Sequence, residues 1–120
     1  MEEMLLYVIV LERADLHEKL LAELSNAGIT NSTSINSVSM ESTLASREDS
    51  HIIAALRAFM TADRVESKTV FGVCEKDKLK TVHNALTKVA GNLNEKGAAS
   101  IVAVPVAFAD GFYRTSKLSK

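Results

Sequence analysis

The chain predicts an α+β fold of the ferredoxin-like type: a βαββαβ sandwich with helices on one face of a four-stranded sheet. A loop and a short helix are inserted between the second and third strands. Three observations carry the prediction. An apolar run, residues 4–11, is followed by an amphipathic segment, about 14–27, that stops at Gly28. The same order returns in an apolar run at 69–74 and an amphipathic segment at about 77–90 that stops at Gly91. A further strand-like run follows each half, at 33–40 and at 100–108. Two strand-helix-strand units side by side build this sandwich, as one domain over residues 1–120, since 120 residues hold one core and not two.

The first strand is the run Met4-Leu-Leu-Tyr-Val-Ile-Val-Leu11. In the helix after it, Leu16, Leu20, Leu21, Leu24 and Ala27 keep a 3.6-residue period, while Glu12, Arg13, Glu18, Lys19 and Glu23 lie mostly elsewhere. Gly28 suits the stop because it adopts positive φ without a Cβ clash. The second strand, 33–40, is rich in hydroxyls, with Ile35, Val38 and Met40 as its apolar anchors. It reads as a wet edge or as part of a polar site. Residues 41–50 are polar and read as loop; Ile52, Ile53, Leu56, Phe59 and Met60 then mark a short amphipathic helix, with Asp49 or Ser50 as its cap. A hairpin turn would suffice there, so about 25 extra residues point to a functional insertion. In the second long helix Leu79, Val82, Leu86, Val89 and Ala90 form the buried stripe, and Asp77 sits near its start, where a carboxylate suits the dipole. Pro105 fits the end or edge of the last strand.

Composition excludes several classes. The chain is 47% hydrophobic with a net charge of −1, which lacks the basic footprint of a nucleic-acid binder. Aromatics make up 5%, with no Trp, which gives no stacking platform for single strands. The start is acidic and its apolar run lasts eight residues, so neither a signal peptide nor a membrane span is expected. One cysteine rules out an internal disulfide and suits a reducing, cytoplasmic setting.

The pattern resembles the PII-like signal-transduction proteins of the nitrogen-regulatory group. The resemblance lies in Leu6-Tyr-Val-Ile-Val10, the helix over 16–24, Ala27-Gly-Ile-Thr30, the helix over 79–89, Gly91-Asn-Leu-Asn-Glu-Lys-Gly97 and Ile101-Val-Ala-Val-Pro-Val106, and it covers roughly residues 4–108. It implies a compact homotrimer whose sheets line a central core. It implies no enzyme activity, but small effectors, often adenine nucleotides, bound in clefts between subunits. It also implies a long loop, here 41–66, that docks onto a protein partner such as a transporter or a metabolic enzyme. The chain departs from the family's phosphate-binding Thr-Gly-x-x-Gly-Asp-Gly-Lys stretch. Gly97 remains, but Ala98, Ala99 and Ser100 stand at its last three positions, which weakens the cradle of close backbone and cation. Ser39-Met-Glu-Ser42 stands in place of the Gly-Phe-Gly-Arg turn. No tyrosine lies between Tyr7 and Tyr113 to match the modified tyrosine of the loop, and the paired C-terminal arginines reduce to Arg114.

The candidate ligand-binding residues are therefore Ser37, Ser39, Asn92, Asn94, Lys96, Gly97 and Arg114, with no catalytic or metal-ligating residue and no cofactor. His17, His51 and His83 share no i, i+3 or i+4 spacing, so surface, capping or structural roles are expected rather than metal binding. Cys74 ends a buried strand and is expected as a packed small hydrophobe. The alternative to a ligand-sensing regulator is a structural or protein-interaction module of the same fold without a small ligand.

Overall fold

The computed structural model describes residues 3–40, 67–93 and 98–112. Strand β1 spans Met4–Leu11 and helix α1 His17–Asn26, entered through a 3-10 turn at Ala14–Leu16. Strands β2, Thr33–Ser37, and β3, Ser67–Glu75, follow. A second 3-10 turn, Lys76–Lys78, leads into helix α2, Leu79–Ala90, and β4 runs Ala99–Pro105. The sheet is antiparallel at every pairing, in the order β2-β3-β1-β4. This is the ferredoxin-like arrangement expected from the duplicated halves. The inserted helix expected at 52–60 and the loop around it lie outside the described residues.

Two strands end earlier than their composition suggests. β2 stops at Ser37 rather than Met40, because Ser37 pairs with Ser67, the first residue of β3. Among the described residues no strand pairs with β2 beyond that point. β4 stops at Pro105 rather than Phe108 because β1 begins at Met4: Val106 N–H still donates to the Met4 carbonyl at 3.0 Å, and the described residues beyond it meet no further strand. β3 is longer than its apolar core, because Ser67 and Lys68 pair with β2 despite their polarity.

Helix α1 closes as the glycine predicted. Ile29 N–H donates to the Leu24 carbonyl at 2.8 Å and Gly28 N–H to that of Ser25 at 3.0 Å, with Gly28 at φ 91°. These are the paired bonds of a Schellman cap, and buried Ile29 adds the hydrophobic contact that accompanies it. α2 ends at Gly91, which takes φ 80° and donates its N–H to the Thr87 carbonyl at 2.8 Å, a helical bond without the paired cap seen in α1.

The two faces of the sheet differ. Tyr7, Ile9 and Leu11 of β1, Val70 and Cys74 of β3 and Ala99 of β4 join Leu20, Leu24, Val82, Ala85 and Leu86 of the helices in one core. Tyr7 is fully buried and its hydroxyl reaches Ser32 Oγ at 2.7 Å. It crosses over Gly72, where any Cβ would stand 2.6 Å from the phenol oxygen. Glycine in this strand is therefore required by close approach. The alternate residues point the other way. By register, Thr33–Phe71–Val8–Val102 form one row across that face, Ile35–Thr69–Val10–Ser100 a second, and Val73–Leu6–Val104 a third. Val102, Val104 and Ile35 are 61%, 49% and 49% exposed.

Candidate functional site

The predicted ligand residues within the described parts fall at two places. Ser37 closes β2, where three hydroxyls form a chain. Thr69 Oγ1 donates to Ser37 Oγ at 2.9 Å, Ser37 Oγ lies 2.7 Å from Ser67 Oγ, and Ser67 Oγ donates to the Ser37 carbonyl at 3.0 Å. Since Ser67 has one proton and gives it to the carbonyl, Ser37 must donate to Ser67. With the bonds arranged so, all three protons are used within the cluster, and Ser37 offers a ligand its remaining lone pair. Ser39 is half-buried just beyond the strand.

Asn92 lies on the opposite edge. It lines a groove of about 680 Å³ between the flank of α2 and β4. His83 and Thr87 form the helix side, Gly91 and Leu93 lie at the end of α2, and Ala99, Ser100 and Ile101 supply the strand side. His83 and Ser100 are exposed, whereas Ala99 is buried against the core. Amphipathic spacing explains why His83 is there: Val82 and Leu86 face inward, which turns His83 outward. The groove was missed in the sequence because neither His83 nor Thr87 belongs to a motif. Their only signal is a polar position on a helix flank beside the 92–99 connection. Asn94, Lys96, Gly97 and Arg114 lie outside the described residues.

Both places are at the same end of the sheet, since Ser37 pairs with Ser67 and Leu11, beside Lys68, pairs with Ala99. They are nevertheless three strand spacings apart, roughly 14 Å. Within one chain, the structure does not bring Ser37 and Asn92 together.

Other candidates have structural explanations. His17 opens α1 and its Nε2 lies 2.8 Å from Ser34 Oγ, tying the helix to the edge strand. Burial, then the Lys68 charge, lowers its pKa below the ordinary histidine value. Cys74 is buried, and burial, then Asp77 and Glu75, raise its thiol pKa. It packs as a small hydrophobe, held away from the thiolate form. Among the described residues no group of three or more His, Cys, Asp or Glu could hold a metal ion, and no helix is long and apolar enough to cross a membrane.

No family model and no curated protein matches the chain. Solved structures do. A PII protein from Arabidopsis thaliana bound to citrate superposes with a TM-score of 0.59 at 17% identity, over 88% of this chain and 78% of that one. The GlnK–ATP complex of B. subtilis gives 0.57 at 20% identity, over 89% and 85%. A protein of unknown function from Pediococcus pentosaceus gives 0.56 at 12% identity, over 93% and 99%. At these identities the likeness concerns architecture, and it agrees with the strand order and helix placement described above. The chain has the ferredoxin-like fold of the PII proteins.

Proposed function

We propose that the chain is a divergent, non-enzymatic PII-type regulator. Three copies pack through the open faces of their sheets, a small effector binds in the clefts between them, and residues 41–66 carry the signal to a protein partner. The observation that supports this most is the open face. Leu6, Val8, Val10, Phe71 and Val73 share it with the exposed Ile35, Val102 and Val104, and a contiguous apolar face of this extent marks an interaction surface. Separation of Ser37 and Asn92 on opposite sheet edges supports an effector site completed between protomers, where the β2 edge of one copy meets the β4 edge of the next. That similar proteins are seen bound to citrate and in complex with ATP supports a small-molecule effector.

An effector changes the partner fit only if it binds one state of the 41–66 segment better than another. Hydrogen exchange measured with and without ATP, ADP, AMP or citrate tests this. The regulator reading expects exchange in peptides from 41–66 to change with a saturating effector. Binding that leaves these peptides untouched would disconnect the cleft from the signal.

A second reading, an interaction module without a small ligand, draws on Ser100. It lines the groove where nucleotide-binding members of the resembled family carry a lysine. Absence of saturable binding by any small molecule, with the assembled state retained, would favour it.

A further inference from the structure

We propose that the groove between α2 and β4 receives an uncharged, planar ligand of about nucleoside size, bearing adjacent hydrogen-bond donor and acceptor groups, in preference to a phosphate-bearing one. The proposal rests on the regulator reading only in taking this groove as part of the effector site.

Charge argues against phosphate. A phosphate needs a cation or a helix N-terminus to offset its desolvation. Among the described lining residues there is no lysine or arginine; His83 and Thr87 are polar, while Ser100 borders the groove with its backbone, its side chain lying on the open face by register. Lys88, in the last turn of α2, is directed to Glu23 of α1 at 3.3 Å. Gly91, which lines the groove, immediately follows the last helical residue, so the groove opens at the carbonyl end of α2. That end carries partial negative charge, which repels a phosphate and attracts N–H groups.

Shape and backbone chemistry argue for a planar neutral ligand. A volume of about 680 Å³ lies within the ordinary range for small-molecule sites. Ile101 and Leu93 give apolar surface against which a flat ring can lie. Among the described residues β4 is an edge strand, paired with β1 alone. Half of the backbone N–H and C=O groups of an edge strand point away from its partner. The Ala99–Ser100–Ile101 backbone is thus suited to read the donor–acceptor edge of an amide-like or heterocyclic ring. Thr87 Oγ1 donates to the Asn84 carbonyl at 3.1 Å, which leaves its lone pairs for a ligand N–H.

Titration calorimetry on the full chain with adenosine, uridine, AMP and ATP, at low and high salt, tests the proposal. A nucleoside should bind saturably, with little salt dependence, and its phosphorylated forms should bind no tighter. His83→Ala and Thr87→Val should each weaken nucleoside binding by about two- to tenfold, the range for losing one hydrogen bond, with the circular dichroism spectrum unchanged. ATP binding more than about tenfold tighter than adenosine, with steep salt dependence, would overturn the proposal. So would the failure of both nucleosides to bind. Light-scattering mass on the same samples separates the two readings: an assembled protein that rejects nucleosides sinks the groove proposal alone, whereas a monomer sinks the regulator reading.

Discussion

Adjacent residues of β1 face two different environments. Ile9 is fully buried beneath the helices, whereas Val8 next to it is half-buried on the other face, in a row that ends at Val102, 61% exposed. Yet the two faces of this strand are equally apolar. A half-solvated sheet would show alternation of apolar and polar residues, and a continuous apolar run marks a strand buried on both sides. The helices account for one side. The other is apolar without any described element over it, and this mismatch is what makes a second copy of the chain the natural cover.

Substitutions can break this comparison. Ile9→Ala should cost about 2–5 kcal/mol in chemical denaturation, the range for truncating a large buried aliphatic side chain. Val8→Ala should cost well under that in dilute protein, with a penalty that grows with protein concentration as assembly comes to depend on the face. Equal, concentration-independent losses at the two positions would mean that the open face is covered within the chain.

Gly72→Ala comes next. It forces Tyr7 aside or bends β3, and overpacking of this kind costs about 1–3 kcal/mol. Adding Tyr7→Phe, which removes the atom 2.6 Å from the new Cβ, should recover part of the loss in a double-mutant cycle. Strict additivity of the two changes would contradict the contact. At the hydroxyl chain, Ser67→Ala should cost about 1–3 kcal/mol by leaving Ser37 without its acceptor in a largely buried place. An unchanged denaturation midpoint would show that the chain contributes nothing to the β2 edge.

The smallest effect is pH dependence at His17. Its folded pKa lies below the ordinary 6.5, so the unfolded chain binds the proton more readily. Stability from this residue is present above about pH 6.5 and declines as pH falls through that value toward the folded pKa. His17→Gln should flatten the slope in a denaturation series around that pH; an unaltered slope would assign it to other groups.

Much of the fold was legible because its signals are local. Apolar runs, helical periodicity and the stops at Gly28 and Gly91 each depend on residues near in sequence. Strand ends were less legible, since β2 stops where β3 begins to pair, and no property of Val38 or Met40 announces that. The close approach of Tyr7 and Gly72 was hidden for the same reason, with 64 residues between the two. Of the groove, the position of Asn92 follows from its place between the helix and the last strand. His83 and Thr87 were not legible, because a groove forms from helix and strand together. The bonds of Ser37 to Ser67 and Thr69 were not legible either, because those two hydroxyls come from the neighbouring strand, about 30 residues further along the chain.

The most direct test of the central claim is the solution mass by light scattering at micromolar concentration, for the unaltered chain and for Val102→Asp. Burial of the open faces in a trimer predicts about 39 kDa, three times the 13.0 kDa of one chain. It also predicts a return toward the single-chain mass once an aspartate is placed on the face, with the circular dichroism spectrum preserved. An unaltered chain that stays at 13.0 kDa, or a Val102→Asp variant that assembles as before, would contradict it.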